Sequence, residues 1–149
     1  LATDAGYGFV AKFGDLVAKN KAGKAVLSLP KGSQVMPPVI VPERQNLLVA
    51  AATSEGRLLV FPLADLPELA KGKGNKIIGI PSARAQAREE LLVGLLVFGD
   101  GDVVQVQSGR QYLKLKLSDL DNYRGERGRR GNRLPKGFQK VSGLAIADG

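Results

Sequence analysis

The chain has 149 residues, 44% of them hydrophobic, which is enough to bury the core of one folded domain. It contains no cysteine and no histidine, which excludes disulfide frameworks, thiolate nucleophiles and the commonest metal ligand and general base. The formal net charge is +8, and no apolar run reaches the roughly 18 residues that a membrane-spanning helix needs.

Most of the chain is predicted to form short strands, because β-forming residues alternate with glycine and proline breaks. Two helix signals are weak: 64–69 is at most a single turn, and 82–90 is about two turns that begin at a serine. This pattern is typical of an all-β architecture. In chain order the predicted strands are 8–13, 24–29, 39–41, 46–51, 57–61, 76–80, 91–98, 103–107, 112–117 and 141–147.

A sequence frame recurs three times along the chain. Each copy contains a glycine, then Asp-Leu, then a basic glycine-rich stretch, then a strand that ends at proline. Periods of about 40 to 50 residues or slightly more are typical of propeller blades. The frame predicts one domain over residues 1–149, built of repeats at about 1–50, 51–100 and 101–149. Its marker residues are Gly6, Leu16 and Pro30, then Gly56, Leu66 and Pro81, then Gly109, Leu120 and Pro135.

The positive charge is concentrated in one part of the chain. Residues 110–140 hold ten Lys/Arg against three Asp/Glu, whereas residues 1–109 hold 12 against 10. Such a basic segment in a folded domain favours a polyanionic partner, with nucleic acid as the leading candidate. A membrane surface is less favoured, because no basic amphipathic helix accompanies the charge.

The basic glycine-rich loops are candidate phosphate-binding sites. Arginine offers phosphate a planar, bidentate fork, and glycine allows the backbone to approach closely. The alternative is that the loops are solvated turns. Lys114 and Lys116 are better explained as the solvated face of a strand than as DNA contacts. The candidate DNA-binding residues are Arg124, Arg127, Arg129, Arg130 and Arg133 in the third repeat, Lys71, Lys73 and Lys76 in the second, and Lys19, Lys21 and Lys24 in the first.

Nothing in the sequence indicates an enzyme, a metal site or a cofactor. Asp15, Asp65 and Asp119 recur at equivalent repeat positions, so we expect them to cap turns rather than form a catalytic set. The Gly72-Lys73-Gly74 run lacks the spacing of a phosphate-binding P-loop. We therefore expect no catalytic residue, no metal and no cofactor.

Several runs resemble the C-terminal domain of the A subunit of bacterial topoisomerase IV (the ParC type), a paralogue of the gyrase A subunit. The resemblance covers nearly the whole chain. The runs are Gly6-Tyr7-Gly8-Phe9-Val10, 16–25, Val35-Met36-Pro37-Pro38-Val39, Asp65-Leu66-Pro67, 71–78, Ile80-Pro81-Ser82-Ala83 and 125–131.

The resemblance implies a β-pinwheel of about three four-stranded blades with strand exchange between neighbours, part of a larger disc or open spiral. It also implies a basic perimeter that binds and bends duplex DNA and biases which crossings are relaxed or decatenated, in support of chromosome segregation. Strand cleavage would belong to the rest of the A subunit and ATP hydrolysis to the B subunit, in the cytoplasm of a bacterium at the nucleoid. The fragment itself would be non-catalytic.

The chain departs from the gyrase paralogue at one motif. It lacks a Gln-Arg-Arg-Gly-Gly-Arg-Gly box, and Arg127-Gly128-Arg129-Arg130-Gly131 is similar to a degenerate form of it. The departure predicts bending of DNA without gyrase-type negative supercoiling. A different class of function stays open: a propeller-like interaction module whose basic face binds an acidic chromosome-organising protein.

Overall fold

A computed structural model describes the chain at residues 1–11, 33–36, 39, 41, 46–66, 68–69, 74–99, 102–109, 111–135, 138 and 140–147. Within these residues, strands are the main regular structure. They are β1 (Tyr7–Gly8), β2 (Leu48–Thr53), β3 (Arg57–Pro62), β4 (Asn75–Lys76), β5 (Leu92–Phe98), β6 (Val103–Ser108), β7 (Gln111–Leu115), β8 (Asn132–Arg133) and β9 (Gly143–Ala147).

The strands form three antiparallel sheets. The middle sheet has the order β5-β2-β3-β8, the third has the order β7-β6-β9, and β1 pairs with β4. In the described part of the chain, only the middle sheet reaches four strands. The strand predicted at 24–29 and the lysines Lys19, Lys21, Lys24, Lys71 and Lys73 lie outside the described residues.

Strands are exchanged between successive repeats. β8 follows the basic loop of the third repeat but pairs with β3 of the second, in the register Arg57↔Arg133 and Leu58↔Asn132. β4 follows the basic loop of the second repeat and pairs with β1 of the first, in the register Tyr7↔Lys76 and Gly8↔Asn75. The strands that follow the second and third basic loops are therefore each joined to the preceding repeat by backbone hydrogen bonds.

In the middle sheet, β2 and most of β3 are buried on both faces, which explains why these two strands are almost continuously apolar instead of alternating. One face presents Val49 and Leu59 to a core shared with the first repeat. The other presents Ala50 and Val60 to a core shared with the third. Burying each large apolar side chain in these cores stabilises the folded state by roughly 1.5–3 kcal/mol. The two cores hold the repeats in contact.

The described helices are short. α1 (Ser82–Gln86) is shorter than the 82–90 segment predicted, and a 3-10 turn at Leu63–Asp65 stands at the predicted single turn. α2 (Leu117–Leu120) and a 3-10 turn at Asp121–Tyr123 were not predicted. The Asp119 carboxylate accepts a hydrogen bond from the Lys116 backbone at 3.1 Å, which confirms its capping role. Neither α1 nor α2 is long and apolar enough to cross a membrane.

Candidate nucleic-acid interface

The basic loop of the third repeat packs directly against residues 76–79 of the second. The backbone N–H of Gly128 donates to the Ile77 carbonyl at 3.0 Å, and that of Gly79 donates to the Arg129 carbonyl at 2.7 Å. The Arg127 guanidinium donates to the Lys76 carbonyl at 2.8 Å. The predicted cations of two successive repeats therefore share one surface.

Two glycines allow β4 and β8 to approach the strands of the preceding repeats closely. Gly74 and Gly131 precede β4 and β8 and have φ angles of +81° and +74°, which favour glycine. A Cβ at Gly131 would lie 2.5 Å from the Leu58 carbonyl oxygen, and one at Gly74 would overlap the backbone of Gly8. The sequence suggested that glycine serves the approach of a phosphate. At these positions it serves the approach of the preceding repeat's strand.

Arg130 is directed into the protein. Its guanidinium donates to both carboxylate oxygens of Glu90, at 2.8 and 3.2 Å, and to the Gly79 carbonyl at 2.6 Å. Glu90 is completely buried and also accepts a hydrogen bond from the Thr53 hydroxyl at 2.9 Å. Arg130 keeps 36% of its side chain exposed. A buried carboxylate needs such a partner, since an unpaired buried charge is costly.

Two other predicted arginines form ion pairs with carboxylates at the surface. Arg129 lies 3.1 Å from Glu126, and Arg124 lies 3.3 Å from Asp121. All four side chains are about half exposed or more, so each pair contributes no more than about 1 kcal/mol. A phosphate can replace either carboxylate at little cost.

Three predicted cations have no carboxylate partner within the described residues. Lys76 and Arg133 are exposed and take part in no ion pair there. Arg127 donates only to a carbonyl oxygen, which leaves its charge uncompensated. These three side chains are the strongest candidates for phosphate contacts, because binding would break no internal ion pair.

Arg57 belongs to the same surface but was not among the predicted residues. It stands directly opposite Arg133 in the β3–β8 pair, and its guanidinium donates to the Gly131 carbonyl at 3.2 Å. Burial, followed by the charges of Arg130 and Arg133, lowers the pKa of Arg57 below its ordinary value. The repeat frame could have drawn attention to Arg57, because it follows Gly56 as Tyr7 follows Gly6.

An open groove lies between β4 of the second repeat and the basic loop of the third. It encloses about 700 Å³ and adjoins a second depression of about 710 Å³ that reaches α1. The groove is lined by Lys76 of the second repeat and by Arg127 and Arg129 of the third, together with Tyr7 of the first. Within the described residues, no group of three acidic side chains could hold a metal ion. The cations that line the groove suit an anionic ligand.

Comparison with known proteins identifies the sequence family. Residues 1–42, 48–98 and 108–148 match the family described as DNA gyrase C-terminal domain, beta-propeller. The chain is 57% identical over 146 residues to the A subunit of DNA topoisomerase 4 from Pseudomonas aeruginosa, and 51% identical over 138 residues to that from Haemophilus influenzae. These matches cover 98% and 93% of this chain but only 19% and 18% of the relatives.

Solved structures give the same result for the fold. The chain matches the E. coli ParC C-terminal domain with a TM-score of 0.89 and 47% identity, covering 99% of this chain and 59% of that one. A DNA gyrase A C-terminal domain matches with a TM-score of 0.73 at 18% identity, covering 99% of this chain and 48% of that one. At this low identity, the match shows a shared fold and no more. The predicted all-β, propeller-like fold and the family resemblance are confirmed.

Proposed function

Since the chain belongs to the DNA gyrase C-terminal domain family of beta-propellers, we propose that it is a non-catalytic domain that binds and bends duplex DNA. The observation that carries the proposal is that Lys76 of the second repeat adjoins the basic loop of the third, with Lys76, Arg127 and Arg133 lacking carboxylate partners in the described region. The domain would span residues 1–149 within the A subunit of a bacterial, cytoplasmic topoisomerase IV.

The mechanism follows from the repeat geometry. Consecutive repeats place cations at successive points, so a duplex that contacts more than one repeat must follow the curvature of their surface. The contacts are directed at phosphates, which position DNA without reading its sequence. Bending then costs energy that depends on DNA stiffness and is offset by the added phosphate contacts. A bent, captured duplex would favour particular DNA crossings for the catalytic parts of the A and B subunits.

Replacing both Lys76 and Arg127 with glutamine is expected to weaken duplex binding about tenfold near 100 mM salt, because two phosphate contacts are lost. The plot of log affinity against log salt concentration should flatten by about two, one for each contact. Fluorescence anisotropy over a salt series measures both quantities. The duplex should be about 100 base pairs, shorter than the DNA persistence length of about 150 base pairs, so that bending is detected in parallel.

The matched control is Lys114→Gln with Lys116→Gln, which removes the same charge from exposed positions on and after β7. Its affinity should stay close to that of the wild type, since the location of charge matters more than its sum. Weak, salt-insensitive binding of DNA by the wild type would refute the proposal. It would also revive the alternative of an acidic protein partner, which no contact in the described residues favours.

A further inference from the structure

Two arginines stand directly opposite each other where the second and third repeats meet. Arg57 and Arg133 are partners in the β3–β8 register, an arrangement that places their Cβ atoms roughly 4.5–5.5 Å apart. Like charges at such positions destabilise a sheet. The pair therefore costs the free protein stability, and a bound anion would offset that cost.

The charges near the pair do not neutralise it. Arg130 lies close enough to lower the pKa of Arg57, and the single buried carboxylate of Glu90 is already engaged by Arg130. Arg133 is exposed and has no ion-pair partner in the described part of the chain. An excess of positive charge therefore remains on the solvent side of β3 and β8.

The pair is also held in place before any ligand arrives. Backbone pairing fixes the main chain of Arg133, and the hydrogen bond from the Arg57 guanidinium to the Gly131 carbonyl at 3.2 Å restrains the side chain of Arg57. Ordering a free arginine side chain on binding costs roughly 0.5–1.5 kcal/mol, so a restrained one binds with less loss of entropy. Guanidinium groups suit the oxygen geometry of a phosphate.

We infer that Arg57 and Arg133 together bind a backbone phosphate of duplex DNA at the boundary between the second and third repeats. This inference rests on the proposed function and adds Arg57 to it. The preceding boundary has Tyr7 opposite Lys76 in the equivalent register. In this register that boundary pairs one cation with an uncharged side chain, whereas Arg57 and Arg133 place two cations opposite each other.

The test compares Arg57→Gln, Arg133→Gln and the double variant in the salt-series binding assay, with thermal unfolding measured on the same samples. Each single change should weaken duplex binding about three- to tenfold. The double change should weaken it by less than the product of the two, because both side chains serve one phosphate. The melting temperature of Arg133→Gln should stay the same or rise, since repulsion is relieved and no hydrogen bond is lost.

The outcomes separate this inference from the proposed function. Suppose that the wild type binds DNA and that the Lys76→Gln, Arg127→Gln double variant binds more weakly. If the Arg57 and Arg133 variants then bind like the wild type, the inference fails while the proposed function stands. If the wild type itself does not bind DNA, the proposed function fails and takes the inference with it. If Arg133→Gln lowers the melting temperature in step with affinity, the pair is structural and the inference is overturned.

Discussion

Replacing Gly131 with alanine is expected to lower the free energy of unfolding by about 3 kcal/mol. The residue has a φ of +74°, and an added Cβ would lie 2.5 Å from the carbonyl oxygen of Leu58 and 2.9 Å from its carbonyl carbon. Leu58 is completely buried in β3, so its backbone has little room to move. The expected consequence is that β8 separates from β3. Urea denaturation monitored by circular dichroism measures the loss.

Gly109 provides the matched control for this change. It also has a positive φ, +60°, but an added Cβ there would meet no atom within 4 Å. Gly109→Ala should therefore cost only the conformational penalty of about 1 kcal/mol. Equal losses for the two variants would show that the close approach of β8 to β3 contributes nothing beyond backbone conformation.

The strands of the middle sheet were predictable because burial on both faces leaves a continuous apolar run. The predicted 46–51 and 57–61 correspond to Leu48–Thr53 and Arg57–Pro62, within two residues at each end. Local sequence was sufficient here, since the apolar pattern and the glycine and proline breaks agree with the final packing.

Strand exchange could not be derived from the residues, because β8 has only two residues, Asn132 and Arg133, and both are exposed. Their pairing is fixed by Gly131, whose φ and close approach to Leu58 have no hydrophobic signature. The resemblance to a known family implied the exchange. For the same reason Arg57 was overlooked, since only its position opposite Arg133 gives it a part in the site.

α2 was missed for a different reason. The alternation of β7 extends through Leu115 to Leu117 in the sequence, so the period-two pattern predicted a strand over 112–117. In the structure β7 ends at Leu115, and the Asp119 carboxylate accepts a hydrogen bond from the Lys116 backbone. A local side-chain cap therefore overrides a strand pattern at its last residues.

The buried position of Glu90 was also unpredictable. A glutamate near the end of a helical segment is ordinarily solvated. The nearby Arg84 and Arg88 pair with other carboxylates and not with Glu90. Arg130 lies 40 positions away and reaches it from the next repeat. The arginine predicted to bind phosphate is thus placed where it satisfies a carboxylate of the neighbouring repeat.

Replacing Arg130 with alanine is expected to destabilise the chain by about 3 kcal/mol, because it leaves the Glu90 carboxylate buried and without its charged partner. Arg129→Ala is the matched control. That neighbouring arginine is 73% exposed and pairs with a carboxylate that is 80% exposed, so its loss should cost less than about 1 kcal/mol. Equal effects of the two substitutions on denaturation would contradict the role assigned to Arg130.

Combining Arg130→Ala with Glu90→Gln should recover part of the lost stability, since the glutamine has no charge to compensate and its amide oxygen can still accept from Thr53.

Arg130→Lys separates this role from direct phosphate binding. Lysine keeps the positive charge but cannot donate to both carboxylate oxygens and to the Gly79 carbonyl in the same fork geometry. If Arg130 acts chiefly through Glu90, Arg130→Lys should lose stability while its salt slope for DNA binding stays that of the wild type. A flattened salt slope in Arg130→Ala that Arg130→Lys restores, with stability unchanged in both, would instead assign Arg130 to the phosphate contacts.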